Sequence, residues 1–163
     1  MLFLDVDGPL IPFGGPPPGG YPTFRSPHVR SGAVPGGNPL IARVDPGLGA
    51  RLLDLPGEPV WATTWLEDAN ECLAPWLGLP RLPVVDWPVE ERGGPEGVHW
   101  KTRELVAWAD GRPFAWVDDE ITDADRRWAA AHSPARALLH QVDPGRGLTE
   151  ADFTSLEAWL RAG

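Results

Sequence analysis

The chain has 163 residues, 42% hydrophobic and 23% charged, which is enough for one domain with a substantial core. A net charge of −9 argues against a general duplex nucleic-acid binder, and the single cysteine, Cys72, excludes an intramolecular disulfide or a cysteine-based zinc site. No run approaches the roughly 20 apolar residues of a membrane span. The start, Met1-Leu2-Phe3-Leu4-Asp5, lacks the basic leader of a signal peptide, so a cytoplasmic location is expected.

Leu2 to Val6 is nearly continuous apolar chain, the pattern of a central parallel strand buried on both faces. It delivers Asp5 and Asp7, which point to the same side of an extended strand and repel unless a cation or a proton intervenes. Residues 9–44 follow as a Pro/Gly-rich flap insertion, with Tyr21–Phe24 and Val29–Val34 as short strands. No acidic residue occurs between Gly8 and Val44, whereas Arg25, Arg30 and Arg43 do, so the insertion is locally basic in an acidic protein.

Asp45 to Leu55 is a predicted helix, capped by Asp45 and stopped by Pro56-Gly57. Pro59 to Thr64 is the second strand, and Leu66 to Leu77 a helix that Pro75 kinks or shortens. The third strand is Leu82 to Asp86, and Val89 to Gly97 is loop. Lys101 to Ala109 is a helix closed by Gly111. The fourth strand, Pro113 to Val117, runs into Asp118-Asp119, and Thr122 or Asp123 caps the next helix. Arg136 to Val142 is the fifth strand, and Thr149 starts the last helix. This alternation predicts an α/β fold, a Rossmann-like three-layer sandwich with a central five-stranded parallel sheet, forming a single domain over 1–163.

Right-handed crossovers align the carboxyl ends of the strands on one edge, where such sheets bind ligands. That edge collects Asp5, Asp7, Thr63, Thr64, Asp118 and Asp119, with Lys101 at a helix start beside them. The set suffices for Mg²⁺-assisted phosphoryl transfer through an aspartyl-phosphate. Carboxylates are the hard ligands Mg²⁺ prefers, one carboxylate can attack phosphorus, and another can move the proton. Hydroxyl and ammonium groups can bind the equatorial oxygens. Each piece also has a plain structural use, as turn, β-former, solvated helix residue or cap; all four in order are hard to explain that way. His28, His99, His132 and His140 show no metal-ligand spacing.

These motifs resemble the haloacid-dehalogenase-like (HAD) superfamily. Phe3-Leu4-Asp5-Val6-Asp7 matches its first motif, Val60-Trp61-Ala62-Thr63 the second, Lys101 the third and Phe114 to Asp119 the fourth. The resemblance implies that Asp5 is the nucleophile and that Asp7 is the general acid/base whose backbone carbonyl also reaches the metal. It implies a phosphate ligand at Thr63, in preference to Thr64, and Mg²⁺ held with Asp118 or Asp119. Dehalogenases of the superfamily lack the second aspartate, so Asp7 favours phosphate chemistry. Asp123 matches a variant of the fourth motif, although capping is its simpler role. A departure is Pro9, where relatives often carry Thr or Val. More narrowly, the DVDGPL, WATTW and WVDDE stretches are similar to a capless branch, the phosphatase-like HAD domain of bacterial RNA-repair proteins.

Neither the insertion nor the span from Thr64 to Lys101 has room for a folded cap domain, so an open site is expected. Arg25 and Arg30 are the expected recruiters of an anionic substrate, a phosphorylated small molecule, nucleotide or nucleic-acid end. Trp65, Trp87 and Trp100 lie nearest the site, with packing their simplest use. The two function classes are a Mg²⁺-dependent phosphatase and a non-catalytic or regulatory module that binds phosphate or nucleic-acid ends at the retained site.

Overall fold

A computed structural model describes residues 1–30, 34–87 and 97–162. Its centre is β1 (Leu2–Leu4), three residues with no exposed surface. β1 pairs in parallel with β2 (Pro59–Trp61) on one side and β3 (Phe114–Asp118) on the other, and β3 pairs with β4 (Ala137–Gln141). The order is β2-β1-β3-β4.

Side chains alternate across the sheet. Leu2, Leu4, Val6, Trp61, Ala115 and Val117 share a core with Leu52, Trp76, Phe153 and Leu156. The helices on that face are α1 (Gly47–Asp54), α2 (Ala74–Leu77) and α5 (Glu150–Arg161). Phe3, Val60, Phe114, Trp116 and Leu139 form a second core with Leu105 and Ala129. Those two come from α3 (Trp100–Ala109) and α4 (Asp123–His132). The result is the expected helix–sheet–helix sandwich.

The sheet has four strands among the described residues, not the five expected. Leu82–Asp86, the anticipated third strand, follows the outer edge of β2 but makes a single bridge, Val84 to Trp61. Trp61 N–H donates to Pro83 O at 2.8 Å and Val85 N–H to Trp61 O at 2.9 Å. Pro83 has no N–H to extend the ladder, and β2 is itself only three residues long. Asn70 fastens the segment instead, accepting from Leu82 N–H and Trp61 Nε1 and donating to Leu82 O.

The helix expected over Leu66–Leu77 is also shorter. Leu66 has φ 49°, Ala69–Leu73 is a π turn, and regular helix begins only at Ala74. Pro75 cannot donate to a carbonyl four residues back and its ring crowds that carbonyl, so the preceding turn widens. Elsewhere the caps match expectation. Asp45 Oδ1 accepts from Gly47 N–H at 2.8 Å, and Thr122, rather than Asp123, opens α4.

The insertion forms no strand over Tyr21–Phe24, and the strand expected over Val29–Val34 lies partly outside the described residues, as does the loop expected over Val89–Gly97. The insertion is fastened down. Ser26 Oγ donates to Trp76 O at 2.6 Å, Phe24 N–H to Ala42 O at 2.7 Å, and Arg43 Nη1 to Pro12 O at 3.1 Å. Phe24, Val29 and Val34 pack against the core. Two 3₁₀ turns, Pro35–Gly37 and Pro39–Arg43, return the chain to α1.

Candidate active site

The carboxyl ends of the two central strands meet at one buried ammonium. Asp5 follows β1, its N–H bonded to Val117 O at 3.0 Å, and Asp118 ends β3. Lys101 lies in the first turn of α3, and its Nζ is 2.9 Å from Asp5 Oδ2 and 2.8 Å from Asp118 Oδ2. Asp5, Lys101 and Asp118 are 8%, 3% and 0% exposed. Charges this deep are tolerated only when paired and hydrogen-bonded. Asp118 Oδ1 is satisfied by Glu120 N–H at 2.9 Å.

One ammonium does not balance the site. Carboxylate oxygens of Asp5, Asp118 and Asp119 all lie within 4.8 Å of one another. Burial pushes the Asp5 carboxyl up to about 7; Lys101 pulls against that shift and the Asp118 charge adds to it. Burial, with the Asp118 charge next, raises Asp119 to about 6. Burial works to lower the Lys101 ammonium, but Asp5 and Asp118 together hold it above its usual value. Three crowded carboxylates against one cation are a hard-oxygen donor set with excess negative charge, which fits Mg²⁺.

Asp7 stands one turn of loop away, where Gly8 N–H donates to Ile11 O and both Leu10 and Ile11 N–H donate to Val6 O. Gly8 has φ 85°. Trp65 Nε1 donates to Asp7 Oδ2 at 3.0 Å and so fixes that carboxylate. Asp5, Asp7, Phe13, Thr64, Trp100, Lys101, Asp119 and Glu120 line one cleft of about 180 Å³.

The two threonines differ. Thr64 is exposed and lines the cleft. Thr63 is wholly buried, its Oγ1 accepting from Trp65 N–H at 3.3 Å and its carbonyl from Trp87 Nε1 at 2.9 Å. Arg25 and Arg30 are exposed on the insertion and are not among the residues lining the cleft. What the insertion brings to the cleft is Phe13, 42% exposed, its N–H held by Pro144 O at 2.9 Å. Asp123 is exposed and paired with Arg126. Pro9, the departure from the first motif, uses its carbonyl to accept from Leu148 N–H at 2.9 Å.

Two supporting roles, those of His99 and Asp125, escaped the sequence reading. His99 Nδ1 accepts from Lys101 N–H at 3.2 Å, which leaves the ring proton on Nε2 for Glu120 Oε2 at 3.0 Å. Asp125, which is buried, links the starts of α3 and α4. The Thr122-x-x-Asp125 spacing signals a capping box, but nothing in it signals the bonds to α3.

No helix among the described residues is long and apolar enough to cross a membrane. No curated protein and no solved structure matches the chain. A family profile described as the HAD domain in Swiss Army Knife RNA repair proteins matches residues 1–153. With that match over nearly the whole chain, and with the motif residues on one sheet edge, the chain belongs to this family of HAD domains.

Proposed function

We propose that the chain is a Mg²⁺-dependent phosphatase that hydrolyses phosphomonoesters through an aspartyl-phosphate on Asp5, with phosphorylated nucleic-acid ends as its substrate class. The observation that carries the reading is the Lys101 ammonium held between Asp5 and Asp118, with Asp119 as a third carboxylate at the same edge. Membership of a family named for RNA-repair proteins supports the substrate class.

In the first step an Asp5 oxygen attacks phosphorus and the bond to the leaving oxygen breaks, while Asp7 gives that oxygen a proton. In the second, Asp7 takes a proton from water, the water oxygen attacks phosphorus, and the bond to Asp5 breaks to release inorganic phosphate. Trp65 keeps Asp7 aimed at the cleft through both transfers. Lys101 and Thr64 bind phosphoryl oxygens, and Thr63, the ligand favoured by the motif, supports the turn beneath them. Asp5, the Asp7 carbonyl and Asp118 or Asp119 would hold Mg²⁺, which when bound would supply charge neutralisation for the phosphoryl group. Arg25 and Arg30 attract anionic substrate at longer range.

Phosphate release with Mg²⁺ from 5′- and 3′-phosphorylated RNA and DNA oligonucleotides, nucleotides and small phosphomonoesters tests this. The parent should be active, most on oligonucleotide ends, and Asp5→Asn inactive. Activity surviving Asp5→Asn removes the aspartyl-phosphate. An Arg25→Ala, Arg30→Ala variant should raise KM for the polyanionic substrates alone. No release from any substrate, with phosphorylated ends still bound, would instead favour a binding module.

A further inference from the structure

Asp125 accepts four hydrogen bonds and has no exposed surface. Its Oδ2 takes Thr122 N–H at 2.8 Å and Thr122 Oγ1 at 2.7 Å, while Asp125 N–H returns a long bond to Thr122 Oγ1 at 3.4 Å. That is the capping box of α4. Its Oδ1 does something a cap does not require. It takes His99 N–H at 2.6 Å and Thr102 Oγ1 at 2.6 Å, the residues flanking Trp100 and Lys101 in the first turn of α3.

The two ends of this bridge matter chemically. α4 is the element that follows Asp118 and Asp119, and α3 carries Lys101. Lys101 reaches Asp5 and Asp118 from the first turn of α3, so the placement of that turn bears directly on where its ammonium sits. His99 adds to the same join, its Nε2 bonded to Glu120 in the loop between β3 and α4.

The chain supplies its own comparison. α5 opens with the same box, Thr149 N–H and Oγ1 on Asp152 Oδ2 at 2.8 and 2.6 Å. There Oδ1 goes to His140 on β4, in register with Val117, and the box lies with α5 on the sheet face opposite α3 and α4. Equal capping chemistry is thus used once on the sheet face that carries α3 and Lys101 and once on the opposite face.

We propose that Asp125 is a positioning residue that fixes the Lys101 ammonium against the Asp118-Asp119 pair by joining the first turns of α3 and α4. The inference rests on the phosphatase reading above for its kinetic consequence, and on the hydrogen bonds alone for its structural one.

Asp125→Ala, Asp152→Ala and Thr102→Val test it together, with p-nitrophenyl phosphate and Mg²⁺ as the probe. Thr102→Val cuts only the Oδ1 side and leaves the α4 cap whole, so it remains informative if Asp125→Ala fails to fold. Asp125→Ala should lower kcat by at least about tenfold with KM within about twofold, and Thr102→Val should shift kcat in the same direction. Asp152→Ala should leave kcat within about twofold. Amide hydrogen exchange reads the join without catalysis. In Asp125→Ala the amides of His99 to Thr102 and of Asp119 to Thr122 should lose protection together. A kcat in Asp125→Ala and Thr102→Val equal to that of Asp152→Ala, or an Asp125→Ala in which His99 stays as protected as in the parent, overturns the proposal. A parent with no phosphatase activity sinks the functional reading instead, and exchange then decides the join.

Discussion

Gly8 and Asp119 share a space that admits no side chain on the glycine. A β-carbon at Gly8 would lie 2.5 Å from Asp119 Oδ1 and 2.6 Å from its Cγ. The glycine also sits at φ 85°, where any L-residue is strained. Gly8→Ala should therefore cost at least about 1 kcal/mol and push Asp119 away from Asp5 and Asp118. Urea unfolding and Mg²⁺ titration check the two halves separately. Parent-like Mg²⁺ affinity in this variant would mean that Asp119 is not a ligand.

Lys101→Met leaves two buried carboxylates facing each other. Removing one partner of a buried pair costs about 3–5 kcal/mol. A divalent cation can replace the missing charge, so Mg²⁺ should raise the melting temperature of Lys101→Met by more than that of the parent. Thermal unfolding with EDTA and with Mg²⁺ gives the comparison, and equal shifts count against a cation beside Lys101.

The two threonines should separate stability from turnover. Thr64→Val removes a hydroxyl from the cleft wall and should depress kcat/KM with an unchanged unfolding midpoint. Thr63→Val leaves Trp65 N–H short of a buried acceptor and should cost about 1–3 kcal/mol. If Thr63→Val abolishes turnover in a fully folded protein, the phosphate contact belongs to Thr63.

Trp65→Phe deletes one donor to Asp7. A hydrogen bond of about 1 kcal/mol corresponds to roughly a tenfold loss at most, and it should fall on kcat. Single-turnover measurements would show which half-reaction is slowed. A change confined to KM would remove Asp7 orientation from the mechanism.

Acid stability should depend on Asp125 and Asp152. Burial works against both carboxylates, but hydrogen bonds from Thr102, Thr122 and His99 hold Asp125 below its ordinary value, and those from Thr149 and His140 do the same for Asp152. A depressed carboxyl contributes stability that is present above the unfolded value of about 3.9 and lost as pH falls through the folded one. Asp125→Ala and Asp152→Ala should each flatten the decline of stability below about pH 4. Unfolding midpoints between pH 2 and 6 provide the measurement.

The parts legible in the sequence were those written in local chemistry. The apolar run into Asp5-x-Asp7, the run into Asp118-Asp119 and the capped starts of α4 and α5 all show at short range. Leu82–Asp86 misled because its apolar residues suit a strand, while Pro83 and the short β2 limit it to a single bridge. In Leu66–Leu77 the apolar stripe runs over residues that are not regular helix, and Pro75 is the sign in the sequence of a kinked or shortened helix. The closeness of Gly8 to Asp119, the arrival of Phe13 at the cleft and the second oxygen of Asp125 depend on how distant segments meet. No spacing encodes them.

The register of β1 has a consequence for synthesis. Leu2 pairs with Pro59 and with Ala115, so β1 leaves the ribosome before both of the strands that flank it, β2 and β3. Until Phe114–Asp118 emerges, Asp5 has neither its neighbouring carboxylate nor a strand on that side. A nascent chain ending before β3 would already carry Lys101 but would expose an apolar edge at Phe3 and Leu4. Ribosome-tethered chains of increasing length should thus acquire protease resistance in one late step.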